Sequence, residues 1–129
     1  MNRKTVVVLL VAAAVLAGAG GGLWWALQPH SAAQMFRRAQ AAENNLQARA
    51  AELSADDLAA QRERIIKTYE RVFKDFADDG YHAEARNRIA QICEELLKDK
   101  ARAVKMYEEL LEKHPDSKLL EEATHRPVS

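Results

Sequence analysis

Glycine all but vanishes from this chain after residue 22; beyond it there is only Gly80. A loop that cradles phosphate needs several adjoining backbone N–H groups clear of side chains, so the C-terminal part of the chain has no such loop. Cysteine is as scarce. Cys93 stands alone, so no disulfide can close within the chain and the thiol says nothing of redox compartment. Neither sign of charge dominates: Lys and Arg number 19, Asp and Glu number 19, and the formal net charge is +0. A chain so balanced has no basic field with which to hold a nucleic-acid backbone. Most telling of all, no charged side chain occurs between Thr5 and Leu27.

That uncharged run is built of Val, Leu, Ala, Gly and Trp. As a helix it would cover roughly 34 Å, against about 30 Å for a bilayer's hydrocarbon core, and so it is expected to span a membrane once. Arg3, Lys4 and the amino terminus lie on one side, and no charge appears on the other until Arg37. The positive-inside rule then places the N-terminus in the cytoplasm and all that follows Pro29 in the periplasm, at a bacterial inner membrane. Trp24 and Trp25 fall at the outer end, where indoles anchor in the headgroup zone. Ala14, Gly18 and Gly22 share one face, a spacing that lets membrane helices pack closely. Arg37 and Arg38 are near enough to meet lipid phosphates. A cleaved signal peptide is the rival reading, with Ala17-Gly18-Ala19 as small residues for a peptidase. Resumption of the apolar run at Leu23–Leu27 favours a retained anchor, and both readings give the same topology.

After His30 the composition favours helices. Apolar residues recur at Phe36, Ala39, Leu46, Ala50 and Leu53, a narrow stripe broken by Glu43 and suited to packing on another helix or to a stalk. Ser54 with Asp57 marks an N-cap. The helix it starts is expected from Ala55 to Ala77, burying Leu58, Ile65, Tyr69, Val72, Phe73 and Phe76. Asp78-Asp79-Gly80 forms a turn. The next helix runs from Tyr81 to about Lys98, with Ala85, Ile89, Ile92, Cys93 and Leu96 inward. Another runs from Ala101 to Lys113, with Val104, Tyr107, Leu110 and Leu111 inward. Pro115-Asp116-Ser117 ends it before a short helix carrying Leu119, Leu120 and Ala123.

Laid on itself with a shift of 38 residues, the chain places Ile65 on Ala103, Tyr69 on Tyr107, Glu70 on Glu108, Val72 on Leu110 and Phe73 on Leu111. Asp78 meets Asp116, and Glu84-Ala85 meets Glu122-Ala123, without a gap. A period in this range signals stacked helical hairpins. The second copy resembles the tetratricopeptide repeat family. Ala90 and Cys93 stand where that family has a small residue and then an aromatic on its first helix. Ala103, Tyr107, Leu110 and Pro115 match its second-helix alanine, aromatic, apolar position and closing proline. Lys113-His114-Pro115-Asp116-Ser117 followed by Leu-Leu-Glu-Glu-Ala looks like the variant of bacterial envelope assembly proteins. The pattern departs at Arg86, where a large first-helix residue is expected, at Ala77 before Asp78, and in an interhelix turn one residue too long. The resemblance covers about residues 55–124 and implies an interaction scaffold rather than a chemistry.

Residues that could carry chemistry are scattered. Cys93 lies on an inward stripe and reads as packing rather than as a nucleophile with His82 or His114. No pair of histidines has metal-ligand spacing, and Glu94-Glu95 and Glu108-Glu109 read as solvated faces, as do Arg37-Arg38 and Arg86 with Arg88. Tyr81, just after a turn, is a candidate partner contact, whereas Tyr69 and Tyr107 read as core. No cofactor, metal or small-molecule substrate is expected, and no catalysis.

The expected fold is all-α, a single N-terminal transmembrane helix followed by a short tetratricopeptide-like domain. Its divisions are a membrane anchor at 1–29, a stalk or first packing helix at 30–53, the repeat domain at 54–125 and a tail at 126–129. Two repeats are fewer than the three or so that a stable array needs. The missing burial must come from the Phe36–Leu53 helix, from self-association or from a partner. The chain reads as a non-catalytic periplasmic adaptor, an accessory subunit of an inner-membrane complex whose partners are other membrane or periplasmic proteins and the bilayer. The alternative is a self-assembling homo-oligomeric coat or lattice.

Overall fold

A computed structural model describes residues 3–4 and 22–120 of the chain. Ala14, Gly18 and most of the Thr5–Leu27 run lie outside the described residues, as do Ala123 and the tail at 126–129. Among those described, no helix is long and apolar enough to cross a membrane.

The described part is helical, with no strand among its elements. A short helical stretch at residues 22–27 leads through Pro29 into α1 (Ala32–Arg49), which a single 3₁₀ turn, Ala50–Glu52, prolongs. Then come α2 (Ala55–Lys74), α3 (His82–Gln91), a π-helical turn (Ile92–Leu96) and α4 (Lys100–Lys113). Each long helix begins on a capping side chain. Ser31 Oγ accepts from the Gln34 N–H at 3.2 Å, Ser54 Oγ from Asp57 at 3.1 Å, and Asp99 Oδ1 from Arg102 at 3.2 Å. Asp78, in the turn after α2, adds a long-range cap: both its carboxylate oxygens lie 3.3 Å from the Ala32 N–H.

Four helices form two antiparallel hairpins, α1 with α2 and α3 with α4, stacked through the contact of α2 with α3. The stripe on α1 does not stand free as a stalk. Ala32, Met35, Phe36, Ala39 and Leu46 are buried in the same core as Ile65, Ile66, Tyr69 and Val72 of α2 and Ala85, Ile89, Ile92 and Cys93 of the second hairpin. Each large aliphatic side chain so buried contributes about 1.5–3 kcal/mol. The Phe36–Leu53 segment thus supplies part of the burial that two repeats lack.

Several elements depart from the sequence reading. α2 ends at Lys74 rather than Ala77. The helix expected from Tyr81 to Lys98 is α-helical only to Gln91, after which Leu97 N–H donates to Ile92 C=O at 3.0 Å, five residues back. The extra residue of the interhelix turn is absorbed in this π turn. The turn closes with Lys98 in the left-handed region (φ 55°) and Asp99 N–H donating to Cys93 C=O at 2.8 Å, six residues back. Leu96, Val104 and Leu111, inward by the apolar spacing, are instead 41%, 47% and 60% exposed. Leu96 leaves the stripe because the π turn shifts the helical register, and α4 has no described helix over its Val104–Leu111 side.

Candidate protein-binding groove

A cleft of about 210 Å³ opens where α1, α2 and the α3–π segment meet. Leu46 and Ala50 line it from α1 and the turn beyond, Leu58 and Ile65 from α2, and Ile92 and Leu96 from the π turn. Gln47 and four charged residues, Glu43, Arg62, Arg88 and Glu95, complete the lining. The first helices of the two hairpins thus form walls, and α2 contributes to the floor.

One wall is held by a polar cluster. Glu43 breaks the apolar stripe of α1, and the structure shows why a carboxylate stands there. Arg88 of α3 donates from Nε and Nη2 to its two oxygens at 2.7 and 2.5 Å, and Tyr69 of α2 donates its phenolic O–H to Oε1. Arg88 Nη1 also donates to Gln91 Oε1 at 2.9 Å. The fork-to-carboxylate pairing ties three helices together and, with Gln91, gives each guanidinium nitrogen an acceptor. Hydrogen bonding to Glu43 raises the Arg88 pKa, and burial together with the Glu43 carboxylate pushes the Tyr69 phenol upward.

A second cluster lies on another side of α3. Arg86 is 5% exposed, its guanidinium 4.0 Å from the Phe73 ring centroid. Nη1 donates to His114 Nε2 at 2.9 Å, and Nε lies 3.8 Å from Glu109 Oε2 but makes no hydrogen bond. A guanidinium cannot accept, so His114 is neutral with its proton on Nδ1. Burial lowers the Arg86 pKa, against the pull of Glu109; burial first, then the Arg86 charge, lowers that of His114. His82, also buried, lies with Nε2 2.9 Å from the Phe76 C=O. Arg86 and Arg88 are therefore not the solvated pair that the sequence suggested.

The repeat positions fall as follows. Tyr69, Ala90, Cys93, Ala103 and Leu110 are at most 2% exposed, Phe73 and Tyr107 are half-buried, and Pro115 is exposed in the turn after α4. Tyr107 donates to Glu94 Oε2 at 3.1 Å. Burial raises the Cys93 thiol pKa, which disfavours the nucleophilic thiolate. Neither histidine considered with Cys93 is positioned as its base by a recorded hydrogen bond: His82 engages Phe76 and His114 engages Arg86. Among the described residues no group of His, Cys, Asp and Glu could hold a metal ion.

Tyr81 heads α3 in a left-handed conformation (φ 71°), although Gly80 precedes it. Its ring stacks on Phe36 at 4.9 Å, and Phe36 meets Tyr69 edge-on at 5.5 Å. That stack holds Tyr81 in a backbone region costly to non-glycine residues and leaves it 38% exposed. At the N-terminal end, Trp24 and Trp25 are each 65% exposed, and the Trp25 ring lies 4.4 Å from that of His30. A Cβ at Gly22 would meet no atom within 4 Å.

Residues 84–117, from the first turn of α3 to the turn beyond α4, match the model of the tetratricopeptide repeat family. No curated protein and no solved structure matches the chain. The matched segment is one tetratricopeptide-like hairpin, and α1 with α2 stands before it as a second hairpin of the same order. Repeats of this type are in general non-catalytic modules that bind other proteins.

Proposed function

We propose that this chain is a non-catalytic adaptor that docks a segment of a partner protein in the cleft between α1 and α3. The observation that carries the reading is the cleft, an apolar floor rimmed by charge between successive first helices of two hairpins, one of them tetratricopeptide-like. Leu46, Leu58 and Leu96 offer apolar contact, and Arg62 and Glu95 offer the polar rim that fixes register. The uncharged Thr5–Leu27 run, preceded by Arg3 and Lys4, supports a membrane anchor that leaves the helical domain in the periplasm, as an accessory subunit of an inner-membrane complex. The exposed Trp24 and Trp25 sit where such an anchor would meet the headgroups.

The test is to solubilise native membranes in mild detergent and capture the tagged full chain. Stoichiometric recovery of a different protein, lost in a Leu96→Glu variant, is the expected result. Recovery of nothing but further copies of the chain overturns it. A periplasmic reporter fused after Ser129 should be active; a silent one overturns the orientation.

A further inference from the structure

The turn beyond α4 repeats a hydrogen bond of the turn beyond α2. His82 N–H donates to Asp79 C=O at 3.3 Å, and in the 38-residue register Leu120 N–H donates to Ser117 C=O at 3.2 Å. The first bond opens α3. The second opens a helical turn at residues 119–120, with Ser117 Oγ accepting from the Leu119 N–H at 3.3 Å as an N-cap. Leu120 stands in the place of buried His82 and is itself partly buried. Glu121 and Glu122 follow, acidic residues suited to a first helical turn.

The same register says what that turn meets. Phe73 of α2 lies under Arg86, whose guanidinium is 4.0 Å from the ring centroid, and their counterparts are Leu111 of α4 and Thr124. Ala85, fully buried next to Arg86 in sequence, has its counterpart in Ala123. Pro127 takes the place of Ile89. A proline there gives no N–H to the Ala123 carbonyl and its ring clashes with it, so a helix begun at Ser117 stops short of it. Running back along α4, that helix reaches Leu111 but not Val104, two turns further on. We propose that residues 118–125 are an intramolecular cap, seated on Leu111 of α4 as α3 is seated on Phe73 of α2, and that they leave Val104 open. The cap closes this end of the array and leaves partner docking to the cleft.

No residue of α4 or of the cap lines the cleft, so capping and partner docking fail separately. The experiment measures maleimide labelling of full chains in mild detergent, each with one added cysteine; the native Cys93 is buried. Without a cap, Leu111 is the more open position, at 60% against 47% for Val104. With it the order reverses, and Leu111→Cys should label about tenfold more slowly than Val104→Cys. Adding Ala123→Glu, which sets a carboxylate where the cap meets α4, should raise Leu111→Cys to the Val104→Cys rate with nearly unchanged circular dichroism. Leu111→Cys labelling no more slowly than Val104→Cys, or a slow rate indifferent to Ala123→Glu, overturns the proposal. Protection that grows with protein concentration also overturns it, by placing the segment on another copy.

Discussion

Arg86 and Arg88 lie two residues apart on α3 and meet opposite fates. Arg88 faces α1 and finds a carboxylate whose two oxygens match its fork, with Tyr69 completing the acceptor's needs. Arg86 finds the Phe73 ring of α2 and, towards α4, a neutral imidazole and a carboxylate 3.8 Å away, so its Nε is buried without a hydrogen bond. The first arrangement specifies how three helices meet. The second merely tolerates a charge. A buried arginine is therefore no measure of stability by itself: what counts is whether its acceptors are complete.

The largest effect expected is on the matched side. Tyr69→Ala removes a fully buried ring and a hydrogen bond to Glu43, and should cost about 3–5 kcal/mol in chemical denaturation. Its repeat equivalent, Tyr107→Ala, should cost about half as much, because that ring is only half-buried. Equal losses would mean that the second hairpin is packed as tightly as the first. Glu43→Ala should follow at about 2–3 kcal/mol, less than for a fully buried pair because the Arg88 side chain is 35% exposed. On the mismatched side, Arg86→Met should leave stability within about 1 kcal/mol of wild type, since an apolar chain can fill the site over Phe73 without an unsatisfied N–H. A large loss there would erase the distinction between the two arginines.

The matched cluster left one mark in the sequence, a lone glutamate in an otherwise apolar stripe. Its partners did not, because Tyr69 and Arg88 lie on other helices, and reading each charge by itself assigns both arginines to solvent. The inward faces of α2, of α3 and of the π turn as far as Cys93 were legible, since periodicity alone selects Ile65, Tyr69, Val72, Ala85 and Ile89. Ile66 and Met35 were missed for lying beside the counted stripe, although both are fully buried. At Val104 and Leu111 the apolar pattern was right for a helix covered on two sides, and burial depends on whether the second side is covered. The surplus residue in the interhelix turn was visible, but its accommodation as a π turn, with Leu96 turned outward, is a matter of hydrogen-bond geometry that no spacing encodes.

The smallest expected effect separates the two clusters by pH. His114 is held neutral by burial first and then as the acceptor of Arg86, with the His82 ring as a further repulsive neighbour and Asp79 and Glu84 as weaker attractive ones. Its folded-state pKa is below the ordinary value, so the unfolded chain takes up the proton first as pH falls through about 6.5. The contribution is complete above that pH and is lost progressively below it, as protonation forces two cations together or breaks the Arg86 contact. The melting temperature should therefore decline between pH 7 and pH 5.5, and Arg86→Met should flatten that slope by removing one of the charges that oppose protonation. Glu43→Ala should leave it intact, because the Glu43–Arg88 pair lies on another side of α3. An equal slope in wild type and Arg86→Met would show that the imidazole titrates without reference to the arginine.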